Sequence, residues 1–94
     1  QKDLRVIASR FEIAPGAALP VHKHPFPRYA YVLSGTLKVT DAQTGAATIY
    51  KAGDFIVEMV DRWHFGANVG DDAIELLVID QVEGDAKHTI LRQP

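Results

Sequence analysis

Residues 16–28 read GAALPVHKHPFPR, and a single residue separates His22 from His24. Side chains two positions apart in an extended chain leave the same face of a sheet. Both imidazoles can therefore converge on one point, while Lys23 points the other way. A first-row metal needs a third ligand of this kind, and His64 is the candidate. Spacing alone is weak evidence, because such a pair is often part of a surface loop.

The rest of the chain predicts strands and turns rather than helices. Short apolar segments are separated by clusters of Gly, Pro, Asp and Asn, which is typical of an antiparallel β-sandwich or β-barrel. The last apolar run is expected to be a central strand, buried on both faces. The predicted strands are residues 4–13, 29–33, 36–40, 48–51, 55–60 and 74–82, with an edge strand or a frayed end at 88–91.

Composition limits the classes of partner. Ten Lys and Arg stand against twelve Asp and Glu, a formal net charge of -2. No basic stripe is available for phosphate backbones, so nucleic acid is not expected as a partner. No apolar run approaches the roughly 20 residues that span a bilayer, so no membrane is expected either. Cysteine is absent, which leaves histidine and carboxylate as candidate metal ligands.

Length predicts one domain, residues 1–94, because a chain of this size builds a single hydrophobic core. The sequence begins with Gln1 rather than methionine, so a leader could have preceded it. The compartment is therefore unknown: cytoplasmic or, if a leader was removed, periplasmic.

Two spaced motifs resemble those of the cupin superfamily. The first family pattern is Gly, five residues, His-x-His, three or four residues, Glu, six residues and Gly. Here Gly16, His22, His24 and Gly35 occupy the matching positions. Arg28 stands where the family has its glutamate.

The second family pattern is Gly, five residues, Pro-x-Gly, two residues, His, three residues and Asn. Gly53, His64 and Asn68 match it in type and spacing, whereas Met59 replaces the proline and Asp61 the glycine. Two such motifs in the correct order form a specific signal over residues 16–68.

The resemblance implies a single small antiparallel β-barrel of the cupin type, a jelly-roll-like double-stranded β-helix, often assembled as a homodimer. It also implies a divalent transition metal, Fe, Mn, Ni or Zn, held in the mouth of the barrel by His22, His24 and His64. A small-molecule ligand or substrate would bind there. His88 lies outside both motifs and is not counted as a ligand.

Arg28 is the main departure from the family, because a guanidinium cannot ligate a metal. Strand alternation places even-numbered residues 28–32 on the inward face with the histidines and odd-numbered residues 29–33 outside, with Ala30 and Val32 walling a narrow apolar cavity. An inward Arg28 could hold an anionic substrate and act in catalysis. Alternatively it pairs with an internal acid, for which the candidates are Glu58, Asp61 and Glu75.

The second motif leaves two further possibilities open. Replacing proline and glycine with Met59 and Asp61 is expected to alter the turn that enters His64. Asp61 could alternatively serve as a carboxylate ligand.

The leading functional interpretation is a metal-binding cupin with a three-histidine site. It would be a dioxygenase-like or isomerase-like enzyme acting on a small anionic or oxygen-rich compound. The alternative is a non-catalytic small-ligand-binding or sensing module in which Arg28 grips an anionic ligand. The sequence leaves open which of the two is correct, because one fold hosts many functions.

Overall fold

The computed structural model of the protein describes residues 4–58, 60–83 and 90–92. These residues form nine strands and no helix, so no described segment is a helix that could cross a membrane. The strands are β1 (Leu4–Ile13), β2 (His22–Lys23), β3 (Arg28–Ser34), β4 (Thr36–Asp41), β5 (Ala47–Lys51), β6 (Phe55–Val57), β7 (His64–Asn68), β8 (Ile74–Glu83) and β9 (Ile90–Leu91).

The strands form two antiparallel sheets. One has four strands in the order β1-β8-β3-β6, and the other has five in the order β5-β4-β7-β2-β9. Apart from β4 and β5, the hydrogen-bonded neighbours are not consecutive along the chain, as in a jelly roll. The predicted all-β cupin-type fold is confirmed, although among the described residues the hydrogen-bonded ladders remain two sheets and do not close into one barrel.

Most strand predictions are confirmed within a residue or two, and two details were wrong. β8 is central in its sheet, but its alternate side chains are not buried, since Leu77 is 38% exposed. Only one face of this sheet is covered by the other sheet. The strand predicted for residues 55–60 ends at Val57. At the C-terminal end β9 is an edge strand, whereas His88 lies outside the described residues.

The core lies between the two sheets and is built by strand alternation. Ala30 and Val32 are buried while Tyr31 and Leu33 are exposed, which confirms the predicted faces of β3. Val32 packs in the core and does not line either cavity described below. The core residues are Ile13, Ala30, Val32, Leu37, Ile56, Ile74, Leu76 and Val78.

Gly35 forms the turn that carries the chain from one sheet to the other. Its φ of 91° is a conformation that favours glycine. A Cβ here would lie 2.8 Å from Ile74 Cγ1 and 2.9 Å from the Ala73 carbonyl oxygen. The glycine that closes the first motif is therefore required by the close approach of β8.

Asn68, which ends the second motif, is a buried structural residue. Its Nδ2 donates to the carbonyl oxygens of Ile13, at 3.0 Å, and Asp72, at 2.8 Å. Its Oδ1 accepts a hydrogen bond from the backbone N–H of Gly70. One side chain thereby links the ends of β1 and β7 with the loop that precedes β8.

Candidate metal centre

Strand pairing brings the three predicted histidines together. β2 pairs with β7 so that His22 lies directly opposite His64. His24 follows on the same face of the chain and forms an isolated bridge with Val60. The ring centroids lie 4.5 to 5.1 Å apart, and all three side chains are buried. The two motifs are thus folded so that their three imidazoles lie side by side.

The segment that leads into His64 is held by backbone hydrogen bonds at two points. The Glu58 N–H donates to the Arg28 carbonyl at 2.9 Å, and the Asp61 N–H donates to the His24 carbonyl at 2.7 Å. Between these points lies Met59, which is outside the described residues. The segment therefore follows the first motif closely before it turns back to β7.

Asp61 adopts the backbone conformation that glycine would favour at its position in the motif. Its φ is 60°, in the left-handed region that Asp tolerates better than most residues. Its side chain is mostly exposed and lies 3.5 Å from Lys23 Nζ. The alternative that Asp61 is a metal ligand was therefore wrong, since its carboxylate lies outside the histidine cluster.

Glu58 supplies the carboxylate that the first motif lacks. Its Oε1 lies 3.0 Å from His64 Nε2 and 3.4 Å from His24 Nε2. One ligand atom from each of His22, His24, His64 and Glu58 lies within 4.8 Å of the others. The sequence contained a signal for this residue, because Glu58 follows the inward-facing Ile56 by two positions.

The electrostatics of the cluster favour an ionised carboxylate beside histidines of unequal basicity. Burial lowers the pKa of His22, outweighing its hydrogen bond to a backbone carbonyl. Burial also opposes protonation of His64, but hydrogen bonds to Glu58 and a backbone carbonyl raise its pKa. For Glu58, burial favours the neutral acid, yet contacts with His24 and His64 and the charge of Arg28 hold its pKa at about 2. The cluster therefore carries the negative charge that a divalent cation would neutralise.

Backbone carbonyls orient two of the rings. His22 Nδ1 donates to the Pro20 carbonyl at 2.7 Å, and His64 Nδ1 donates to the Arg62 carbonyl at 2.8 Å. Each of these bonds fixes Nε2 as the nitrogen available to the centre of the cluster.

The donor set fits a first-row divalent metal. Imidazole and carboxylate bind such ions at about 2.0–2.2 Å, so two ligands on opposite sides of an ion are about 4 Å apart. The observed limit of 4.8 Å is close to this separation. Movements of less than about 1 Å would bring all four groups to bonding distance.

Arg28 faces inward but is engaged by an acid that the sequence analysis did not name. Its Nε and Nη2 donate to the two carboxylate oxygens of Asp80, at 2.6 and 3.0 Å, and both side chains are buried. The bidentate pair is thus formed with Asp80 and not with Glu58, Asp61 or Glu75, although the charge of Arg28 also favours ionisation of Glu58. Asp80 is directly opposite Arg28 in the pairing of β3 with β8. Two donors of the guanidinium are thus already committed to a structural ion pair.

Two cavities adjoin the site. The larger has a volume of about 180 Å³ and opens beside Glu58 and His64. The smaller, of about 40 Å³, lies deeper and is lined in part by Arg28, Ala30 and Val78. The predicted narrow cavity at Ala30 thus corresponds to the smaller one, which has room for about one water molecule.

Several solved structures are similar to this chain. The oxalate decarboxylase of Bacillus subtilis, a protein with Mn(II) centres, is 27% identical with a TM-score of 0.74, covering 92% of this chain and 23% of that one. The formate complex of the Lactobacillus farciminis oxalate decarboxylase is 26% identical with a TM-score of 0.75, covering 92% and 26%. The chain spans about a quarter of the length of these decarboxylases.

A likeness of fold extends to the polyketide cyclase RemF of Streptomyces resistomycificus, at 20% identity and a TM-score of 0.77, covering 95% of this chain and 63% of that one. A search of curated protein sequences gives no match. The family model described as Cupin domain matches residues 9–80. Because this match covers well over half of the residues, the chain belongs to the cupin domain family.

Proposed function

We propose that the protein binds one divalent transition metal, Fe, Mn, Ni or Zn, through His22, His24, His64 and Glu58. The observation that carries the proposal is the convergence of these four ligand atoms within 4.8 Å in the protein interior. Three imidazoles and one carboxylate leave an octahedral divalent ion such as Fe, Mn or Ni with a net positive charge and open coordination positions, whereas zinc would have to expand beyond four ligands. The similarity to an oxalate decarboxylase with Mn(II) centres supports manganese as one of the candidate ions.

We further propose that this centre is catalytic, with an oxidoreductase or isomerase activity on a small oxygen-rich compound. A divalent ion supplies Lewis-acid chemistry, polarising a bound oxygen or lowering the pKa of bound water. The larger cavity gives a ligand access to Glu58 and His64. Val39 and Ile56 line the same cavity and exclude water from part of its wall. Catalysis needs such an accessible cavity, whereas a structural metal site is closed by protein ligands.

The non-catalytic alternative depends on Arg28 gripping an anionic ligand. The two hydrogen bonds from Arg28 to the buried Asp80 weigh against this role, because a ligand would have to compete with an aligned bidentate ion pair. We therefore assign Arg28 a positioning role: its backbone carbonyl accepts from the Glu58 N–H, and its charge favours ionisation of Glu58.

Metal content tests the proposed centre. Protein dialysed with Mn(II), Zn(II) or Ni(II) and then freed of excess ion is expected to retain about one metal per chain by elemental analysis. Replacing His22 and His64 with alanine should abolish retention, because half of the donor set is lost. His88→Ala, at the histidine outside both motifs, is the matched control and should keep its metal. A wild-type protein that retains no metal would contradict the proposal.

We also propose that the protein is a homodimer that associates through the outer face of the four-stranded sheet. Tyr31 is exposed there and lies opposite Phe55 on one neighbouring strand and Leu77 on the other, both also exposed. A contiguous apolar patch of this kind marks an association surface. An ion pair between Arg10 and Glu75 places both signs of charge beside it, which suits a self-complementary interface.

Sedimentation velocity tests the dimer. The molecular mass obtained for the wild-type protein should be twice the chain mass of 10.3 kDa. Phe55→Glu should give monomers, since it places a charge in the apolar face, while Ile49→Glu, on an exposed position of the other sheet, should not. A monomeric wild-type protein would refute this interface.

A further inference from the structure

The larger cavity joins the candidate metal centre to a wall of the second sheet. Glu58 and His64 form one side, and Asp41, Thr48 and Tyr50, from β4 and β5, form another. The volume of about 180 Å³ corresponds to about six water molecules at roughly 30 Å³ each. It is therefore suited to a small molecule rather than to a drug-sized ligand.

Two hydroxyl groups in this wall are available to a ligand. Thr48 and Tyr50 are two positions apart on β5 and share its inward face, where they lie opposite Val39 and Leu37. Neither hydroxyl forms a hydrogen bond with any residue that the structure describes. Each can both donate and accept, so the pair suits a ligand rich in hydroxyl or carbonyl oxygens.

The charges around the cavity limit the charge of the ligand. Asp41 and Glu58 are carboxylates, and the described residues that line the cavity include no lysine or arginine. Arg62 donates to Asp41 Oδ2 from Nε at 3.0 Å and from Nη2 at 2.7 Å, while Arg28 is paired with Asp80. The Asp41 carboxylate also accepts hydrogen bonds from the backbone N–H groups of Gln43 and Thr44, so it is surrounded by donors. A second negative charge on a ligand would face these carboxylates, while both neighbouring arginines are already engaged in ion pairs.

We propose that this cavity binds a small hydroxylated molecule, such as a polyol or a hydroxy-ketone, that carries no more than one negative charge. The proposal rests on the metal centre for one end of the ligand, where vacant coordination positions accept its oxygens. Thr48 and Tyr50 hydrogen-bond the hydroxyl groups at the other end. Dicarboxylates are excluded, in contrast to the oxalate named for the similar decarboxylases.

Amide NMR titration of the zinc-loaded protein tests the class of ligand. Dihydroxyacetone, a neutral hydroxy-ketone, is expected to shift the amide signals of Thr48 and Tyr50 and to saturate them. Malonate, a dianion of similar size, should bind at least tenfold more weakly. Malonate that shifts the same signals with equal or higher affinity would overturn the proposal.

Isosteric variants test the two hydroxyls. Thr48→Val combined with Tyr50→Phe should weaken dihydroxyacetone binding about tenfold, as expected for two lost neutral hydrogen bonds, with zinc content unchanged. Thr40→Val with Tyr29→Phe removes the same groups away from the cavity lining and should leave affinity unchanged. Equal affinity in the cavity variant and the wild type would overturn the assignment.

The proposed metal centre and the proposed ligand site can be refuted independently of each other. A wild-type protein without zinc defeats the proposed metal centre, and the same titration of the zinc-free protein then tests the cavity by itself. Weaker but saturable shifts at Thr48 and Tyr50 would support it. Their absence would refute the ligand site.

Discussion

Two acidic side chains carry charge close to Arg28, the buried Asp80 and the partly buried Glu58, and they differ in the groups that neutralise them. Asp80, on β8, receives two hydrogen bonds from the Arg28 guanidinium. Glu58, just beyond β6, contacts the rings of His24 and His64. Arginine keeps its proton at every accessible pH, whereas imidazole gives its proton up to a metal. The first pair is therefore a permanent ion pair, whereas the histidines of the second can exchange their protons for a metal cation.

The largest expected effect on stability comes from breaking the ion pair between Arg28 and Asp80. Asp80→Asn leaves a buried guanidinium without its counter-charge and should lower the free energy of unfolding by about 3–5 kcal/mol, measured by urea denaturation. The double variant Arg28→Met/Asp80→Leu removes both charges and should be close to the wild type in stability, with metal binding retained. An Asp80→Asn variant within about 1 kcal/mol of the wild type, the net contribution of about one hydrogen bond, would show that the Arg28–Asp80 ion pair contributes little to stability.

The sequence predicted the parts of the molecule that depend on alternation along one strand. The inward and outward faces of β3 and the shared face of His22 and His24 required nothing more than a period of two. Distant His64 was placed by the spacing of the second motif, which the resemblance supplied.

What the sequence missed depends on register between strands. Asp80 lies two and four positions from the buried Val78 and Leu76, so alternation along the strand predicts that it faces inward. Its position opposite Arg28 depends on the pairing of β3 with β8, which alternation does not predict. Glu58 was considered as a partner for Arg28 and not as a ligand. Its role became visible only when the backbone beyond β6 was seen to place it against the histidines.

The second largest effect is a loss of folding stability at low pH, and it is expected to come from Glu58. Its pKa falls from 4.5 to about 2 on folding, so its contribution to stability is present above pH 4.5 and is lost as the pH falls toward 2. At about 1.4 kcal/mol per pH unit, this amounts to at most about 3 kcal/mol for the metal-free protein. Urea denaturation of the wild type and of Glu58→Gln, at several pH values between about 5 and 2.5, measures this contribution. Parallel stability curves for the two proteins would argue against the contribution.

The smallest expected effect is a change in metal affinity, and it tests whether Glu58 is a metal ligand. Glu58→Gln keeps the shape and one oxygen donor but removes the charge, and should weaken metal binding about 10- to 100-fold in a competitive chelator titration. Glu75→Gln is the matched control. Residue 75 lies on the outer face of β8, so this substitution should leave the metal affinity unchanged. A Glu58→Gln protein with wild-type affinity would reduce Glu58 to a hydrogen-bond partner of the histidines.

A crystal structure of the manganese-loaded protein, with the metal located by its anomalous scattering, tests the central claim most directly. We predict one strong peak per chain, about 2.0–2.3 Å from a nitrogen of His22, His24 and His64 and from an oxygen of Glu58, with Arg28 still bound to Asp80. A peak that is absent, that lies elsewhere, or from which the Glu58 carboxylate is turned away would contradict the account.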